Sequence, residues 1–178
     1  MARRTTKKTK GGVTDTDKGY AELRRVLGKI RAERPYVVAG IRGQAGAQTY
    51  QDEAGKGDAI SLVEVGAVHE FGSRDGRIPE RSYMRSTFDA RRDDYERGLR
   101  KALKHVVAGE TDIDTELGRL GLVVAGDIQE TIATLTDPPL AEYTIKKKGS
   151  SKPLIEEGRL KQSIDHDCLL YTSDAADE

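Results

Sequence analysis

The sequence predicts an α+β fold: two long helices packed on a small antiparallel sheet, with an N-terminal amphipathic helix. Three observations carry that prediction. Apolar residues recur at three- and four-residue spacing through two successive long stretches, the period of a buried helix face. Tyr36 to Ile41 is a short β-branched run with the composition of a strand. The 178 residues are 36% apolar, 34% charged and 5% aromatic, with no Trp, so the core is lean and much surface is left for solvent or partners.

Length allows one domain, taken as residues 14–165, between two polar ends. Residues 1–13 carry Arg3, Arg4, Lys7, Lys8 and Lys10 without an acid and read as a disordered basic tail. Thr14 to Asp17 offers capping side chains, after which Tyr20, Leu23, Leu27 and Ile30 mark a helix face ending near Glu33, before Pro35. The Tyr36–Ile41 strand leads into a glycine-rich stretch, 42–57, expected to be a flexible loop. Asp58 is the expected cap of a helix reaching Phe71, with Leu62, Val65, Gly66 and His69 on one face. Gly72 to Pro79 reads as a turn, and Ile78 to Arg85 as extended chain.

Ser86, with Asp89 three residues on, resembles a capping box for the first long helix, whose face is Tyr95, Leu99, Ala102 and Val106. Gly109 ends it. Thr111 or Asp112 then caps the second, with a stripe of Ile113, Leu117, Leu120, Val124, Ile128, Ile132 and Leu135. Gly118, Gly121 and Gly126 each cost about 1 kcal/mol against Ala in a helix, which points to close approach of a neighbouring backbone. Asp137-Pro138-Pro139 stops the helix. Thr144–Lys148 and Leu154–Ile164 make short turns.

Catalytic and metal motifs fail on inspection. His69-Glu70 opens like the HExxH zinc helix, but the second histidine position is Ser73 and Gly72 breaks the helix before it. Asp112, Asp114 and Glu116 alternate like a calcium loop, yet Leu117 and Val123 stand where glycine and glutamate are required. Gly55-Lys56 lacks the rest of a phosphate-cradling loop, and no serine sits in GxSxG. The single cysteine, Cys168, rules out an intramolecular disulfide, and with no histidine beside it in a mobile tail it reads as an inert thiol. No run approaches the roughly 20 apolar residues of a membrane span, and no apolar segment makes the basic N-terminus a secretory signal.

Two blocks of residues carry a resemblance. The first is Val68-His69-Glu70-Phe71-Gly72 followed by Ile78-Pro79-Glu80-Arg81-Ser82-Tyr83-Met84-Arg85. The second holds Pro138-Pro139-Leu140, Thr144-Ile145, Gly149-Ser150, Lys152-Pro153-Leu154-Ile155 and Gly158-Arg159-Leu160 with Ser163-Ile164. In order and spacing they resemble the "HEFG…IPxRPFxR" and "KGS.KPLI.TGRL..SI" signatures of phage virion-morphogenesis proteins, the tail-completion or head–tail joining (neck) family of long-tailed phages. The likeness covers about 20–165. It departs at Ser82, where the family has a second proline, at Tyr83 (Phe) and at Glu157 (Thr).

The resemblance implies a structural protein of the virion, assembled in the bacterial host cytoplasm, and not an enzyme. Its implied partners are copies of itself in a ring around the DNA path and other tail or connector proteins. It implies no cofactor, small-molecule substrate or membrane. The motif residues are His69, Glu70, Phe71, Gly72, Ile78, Pro79, Arg81, Tyr83, Arg85, Pro153, Leu154, Gly158, Arg159 and Leu160. Phe71 and Tyr83 are expected anchors of the core or of a subunit contact, and Glu70 is placed to pair with Arg81. The alternative is a non-specific nucleic-acid-binding protein using the basic N-terminus and the Arg-rich 74–85 segment, although Glu70, Asp75 and Glu80 dilute that charge. Residues Cys168–Glu178 resemble translated adaptor sequence, and the family continues past the second block into strands. Residues 166–178 are therefore expected to be a non-native or disordered acidic tail.

Overall fold

The structure, a computed structural model, describes residues 6–8, 14–16, 19–50, 60–155 and 158–169. Strands β1 (Thr6–Lys8) and β2 (Thr14–Thr16) pair antiparallel ahead of helix α1 (Tyr20–Glu33). Arg34, in the left-handed conformation, returns its N–H to Ile30 O and closes α1 before Pro35. Strand β3 (Tyr36–Ile41) follows, then a single helical turn, α2 (Gly43–Gly46), and the short antiparallel pair β4 (Thr49–Tyr50) and β5 (Ile60–Ser61). Helix α3 (Leu62–Phe71) opens with a full capping box, in which Ser61 Oγ accepts from Glu64 N and Glu64 accepts from Ser61 N.

The two long helices are α4 (Arg85–Ala108) and α5 (Ile113–Thr134). Gly109, at φ 75°, ends the first, and the Asp112 carboxylate caps the second through Thr115 N at 2.8 Å. After α5 come α6 (Glu142–Lys148), the turn α7 (Arg159–Gln162) and strand β6 (Ile164–Leu169). The α+β architecture is as the sequence predicts. β6 runs antiparallel to β3 over its whole length, Tyr36 opposite Leu169 and Ile41 opposite Ile164. α5 lies across both strands, and α4 packs beside α5.

Residues from distant parts of the chain make the main core: Leu62, Tyr83, Ala125, Ile128, Ile132, Leu154, Leu160 and Ile164. A smaller cluster of Val106, Ile113 and Leu117 takes in Val26 and Ile30 of α1 and Cys168 of β6. Polar links register the long helices: Thr87 Oγ1 donates to Thr131 Oγ1 at 2.6 Å, Tyr95 Oη to Asp127 at 2.9 Å, and Arg91 bridges Asp127 and Glu130.

Several expectations are corrected. Residues 166–169 are not tail: they complete β6, because Ile164, His166 and Cys168 are helix-facing positions of a strand that β3 needs as a partner. Cys168 consequently sits against the smaller core, where burial and then the nearby Asp114 push its thiol upward. Thr6–Lys8 and Thr14–Thr16 form a strand pair rather than a disordered stretch and a cap, and Gly19 takes the N-cap of α1. The 42–57 loop contains α2 and β4, and its residues 51–57, with Asp58 and residues 170–178, lie outside the described residues.

The glycines of α5 divide. A Cβ on Gly121 would meet His166 Cδ2 at 2.5 Å and Val37 Cγ2 at 2.6 Å, so its bareness lets the helix settle onto the sheet's side chains rather than onto a backbone. Gly118 and Gly126 face open space. Gly126→Ala should therefore raise stability by about 1 kcal/mol through helix propensity, whereas Gly121→Ala should lower it by about 1–3 kcal/mol through overpacking. Urea unfolding of the two variants checks the opposite signs.

Candidate functional site

The first motif block is organised around one carboxylate. Glu70, 3% exposed at the end of α3, accepts five hydrogen bonds: from Ser82 Oγ (2.8 Å), Tyr83 N (2.8 Å), Met84 N (2.9 Å), Arg85 N (3.0 Å) and Arg85 Nε (3.1 Å). Three of these donors are backbone groups at the start of α4, which no intrahelical carbonyl can satisfy. Glu70 thus caps α4 from another helix, and its charge faces the positive end of the helix dipole. The expected Ser86–Asp89 box is not the cap; the Ser86 hydroxyl donates to Ser82 O instead. Burial pushes the Glu70 carboxyl up, but the hydrogen bonds from Met84, Arg85, Ser82 and Tyr83 outweigh it and hold the group below its ordinary value. α4 begins at Arg85, so the expected extension of 78–85 stops short of that residue.

Arg81 does not pair with Glu70. It is 4% exposed, and its guanidinium donates to Pro138 O (2.7 Å) and Pro139 O (3.0 Å), while its N–H donates to His69 O at 2.7 Å. One side chain therefore ties the first motif block to the start of the second. Tyr83 is fully buried in the main core beside Leu154 and Leu160. Its Oη has no hydrogen-bond partner among the described residues, and burial, then the Glu70 charge, pushes the phenol far above its usual range. His69 is mostly buried with Nδ1 unpartnered among the described residues; burial first, then the Arg81 and Lys148 charges, lowers it to about 4.

Between these buried groups the 72–80 loop projects as a braced turn. Gly72 has φ 78°, and a Cβ there would lie 3.1 Å from Glu80 N and 3.2 Å from Ile78 O. Ser73 N donates to Ile78 O, Ile78 N to Ser73 Oγ, and Ser73 Oγ to Asp75. Ile78 and Pro79 are exposed, and Phe71 is 64% exposed with the Arg85 guanidinium 4.7 Å from its ring centre. Phe71 is thus a surface residue, and Tyr83 alone of the two aromatics anchors the core. In the second block Pro153 and Leu154 are buried, Gly158 takes φ 75° ahead of α7, Arg159 is exposed on its first turn, and Leu160 enters the core.

Three guanidiniums of the 74–85 segment have partners within the chain: Arg77 with Asp75, Arg81 with the proline carbonyls, Arg85 with Glu70 and Glu80. Sequence reading missed the Glu70 cap; five donors on the successive residues 82–85 leave no periodic signal. Among the described residues no cluster of His, Cys, Asp and Glu could hold a metal, and no helix is long and apolar enough to cross a membrane. Comparison with protein-family models, curated proteins and solved structures finds no match to the chain.

Tyr83→Phe should keep the fold and raise stability by about 1 kcal/mol, since it removes a buried hydroxyl without a partner. Glu70→Gln, which strips the charge from the cap, should lower stability by about 3 kcal/mol. Denaturant titration distinguishes these.

His69 is held neutral in the fold with its pKa lowered to about 4, while the unfolded chain protonates it near 6.5. Between those values the unfolded state binds more protons, so stability is complete above about pH 6.5 and falls as pH drops towards 4, by at most about 3 kcal/mol. Below that window protonation of Glu70 removes more. In His69→Gln the loss between about pH 6.5 and 4 should shrink relative to wild type in parallel urea titrations.

Proposed function

We propose that this chain is a structural virion protein of long-tailed phages, acting in tail completion or head–tail joining as a ring of identical subunits around the DNA path. The observation that carries the reading is the ordered pair of motif blocks at 68–85 and 138–164. The fold adds a physical reason for those residues to occur together. Glu70 caps α4, Arg81 reaches the proline carbonyls, and Tyr83, Leu154 and Leu160 share one core, so both blocks maintain a single framework.

The reading is non-catalytic because the groups that suggested chemistry have structural employment. Glu70 has both oxygens engaged, and His69 is buried beneath the loop with Arg81 N bonded to its carbonyl. What the framework presents outward is an apolar edge, Phe71, Ile78 and Pro79, with the acid-paired Arg85 stacked on the Phe71 ring, of the composition favoured at protein contacts. The engagement of Arg77, Arg81 and Arg85 within the chain leaves nucleic-acid binding through this segment with little free charge.

Phe71→Ala is the clean test, because Phe71 is exposed whereas Arg81 and Tyr83 are structural. It should leave unfolding unchanged to within about 0.5 kcal/mol and reduce the yield of infectious particles at least tenfold in a complementation assay. Unchanged yield counts against the edge as an assembly contact. Electron microscopy of the purified chain reads the ring itself; only isolated monomers in the images would remove that part of the proposal.

A further inference from the structure

Basic residues on the longer helices stand among acids. Arg25 pairs with Glu22 and Lys29 with Glu33 on α1, and Arg97 pairs with Asp94 and Arg100 with Glu96 on α4, each about one turn apart. The chain after α5 departs from that pattern. Residues 143–155 hold Lys146, Lys147, Lys148 and Lys152 and no acid. Glu142 stands before them and Glu156 and Glu157 after; with Arg159 and Lys161 included, 142–161 has six bases against three acids.

The fold turns this charge outward. In α6, Thr144, Ile145 and Lys148 are half-buried, while Tyr143, Lys146 and Lys147 share the exposed face at three- and four-residue spacing. Gly149, at φ 69°, ends the helix, and Lys148 Nζ donates to Lys152 O at 2.9 Å and to Pro153 O at 3.2 Å. That bracket holds Lys152 beside the end of α6. The exposed side chains from 143 to 152 are Tyr143, Lys146, Lys147, Ser151 and Lys152. All five end in hydrogen-bond donors, and none is a carboxylate. Lys146 and Lys152 have no carboxylate partner among the described residues. Lysines in the last turn of α6 also suit the negative end of its dipole. That effect accounts neither for Lys152, beyond the helix, nor for the Tyr143 ring, which is 78% exposed.

We infer that the Tyr143–Lys152 surface holds the phosphate backbone of duplex DNA. The inference rests on the position around the DNA path proposed above and names the part of the subunit that faces the DNA. Phosphate oxygens accept from Lys, Ser and Tyr side chains, and such contacts carry no base information. Lysine meets a phosphate as a point charge, without the fixed fork of arginine. A subunit around a passing genome requires that indifference to sequence. The seven residues of α6 rise about 10 Å, the length of about three nucleotides along one strand.

The test is fluorescence anisotropy of the full chain with a labelled duplex of arbitrary sequence, from low to physiological salt. Wild type should bind, with log affinity falling linearly as log salt rises. Lys146→Gln combined with Lys152→Gln should reduce the steepness of that line by about 2 and weaken low-salt binding about tenfold, with urea unfolding as in wild type. Lys146→Arg combined with Lys152→Arg should bind as wild type does. A third variant, Lys7→Gln with Lys8→Gln and Lys10→Gln, separates the basic N-terminal segment. Loss of all binding in that variant, with none lost in the Lys146/Lys152 glutamine variant, would overturn the inference. So would a wild type that leaves the duplex free at low salt, or one that binds anionic phospholipid vesicles and not the duplex. Sedimentation of the same samples reads assembly separately. Monomers that bind DNA through Lys146 and Lys152 would remove the ring and keep this surface, and a ring indifferent to DNA would do the reverse.

Discussion

A single buried carboxylate holds the arrangement together. Glu70 ends one helix and supplies the missing acceptors at the start of another. The chain between, 72–80, is consequently closed into a braced loop rather than left free. A carboxylate can do this at 3% exposure because five donors replace the water it gave up. Desolvation alone pushes it towards the neutral form. An amide or a hydroxyl in its place would offer fewer lone pairs and no charge for the helix dipole.

The same logic extends to Arg81, which is buried among carbonyls instead of acids. Two proline carbonyls after α5 are well suited to receive it. Their own chain lacks N–H groups at Pro138 and Pro139, so no regular ladder competes for that stretch. The guanidinium's fixed fork spans both oxygens and so sets where the chain goes after α5. From there Pro153, Leu154 and Leu160 return into the core that Tyr83 already occupies. Packing of the sheet depends on a second, simpler constraint. Gly121 leaves space that Val37 and His166 fill, which places α5 squarely on β3 and β6 and leaves α4 without a sheet beneath it.

Much of this was legible in the sequence. The stripe Ile113, Leu117, Ile128, Ile132 predicted α5 and its buried face, and Gly109 and Asp112 marked the break between the long helices. The strand at Tyr36–Ile41 is as read. The strand at Ile164–Leu169 was hidden because charged Asp165 and Asp167 alternate with helix-facing residues on a half-exposed two-stranded sheet, and such a pattern resembles a polar tail. The motif residues were legible as a set, and their roles were not: Glu70 and Arg81 looked like an ion pair across a loop and instead serve different segments.

By itself the sequence determined the α+β class, the two long helices and their apolar faces, and the two blocks of residues on which the proposed role rests. These are properties of periodicity and local chemistry, and both are written along the chain. The tertiary structure alone decided which group caps α4, which carbonyls hold Arg81, and that Phe71 lies outside while Tyr83 lies inside. Each of those depends on which distant residues meet, and hydrogen-bond demand and packing volume are settled only when they do.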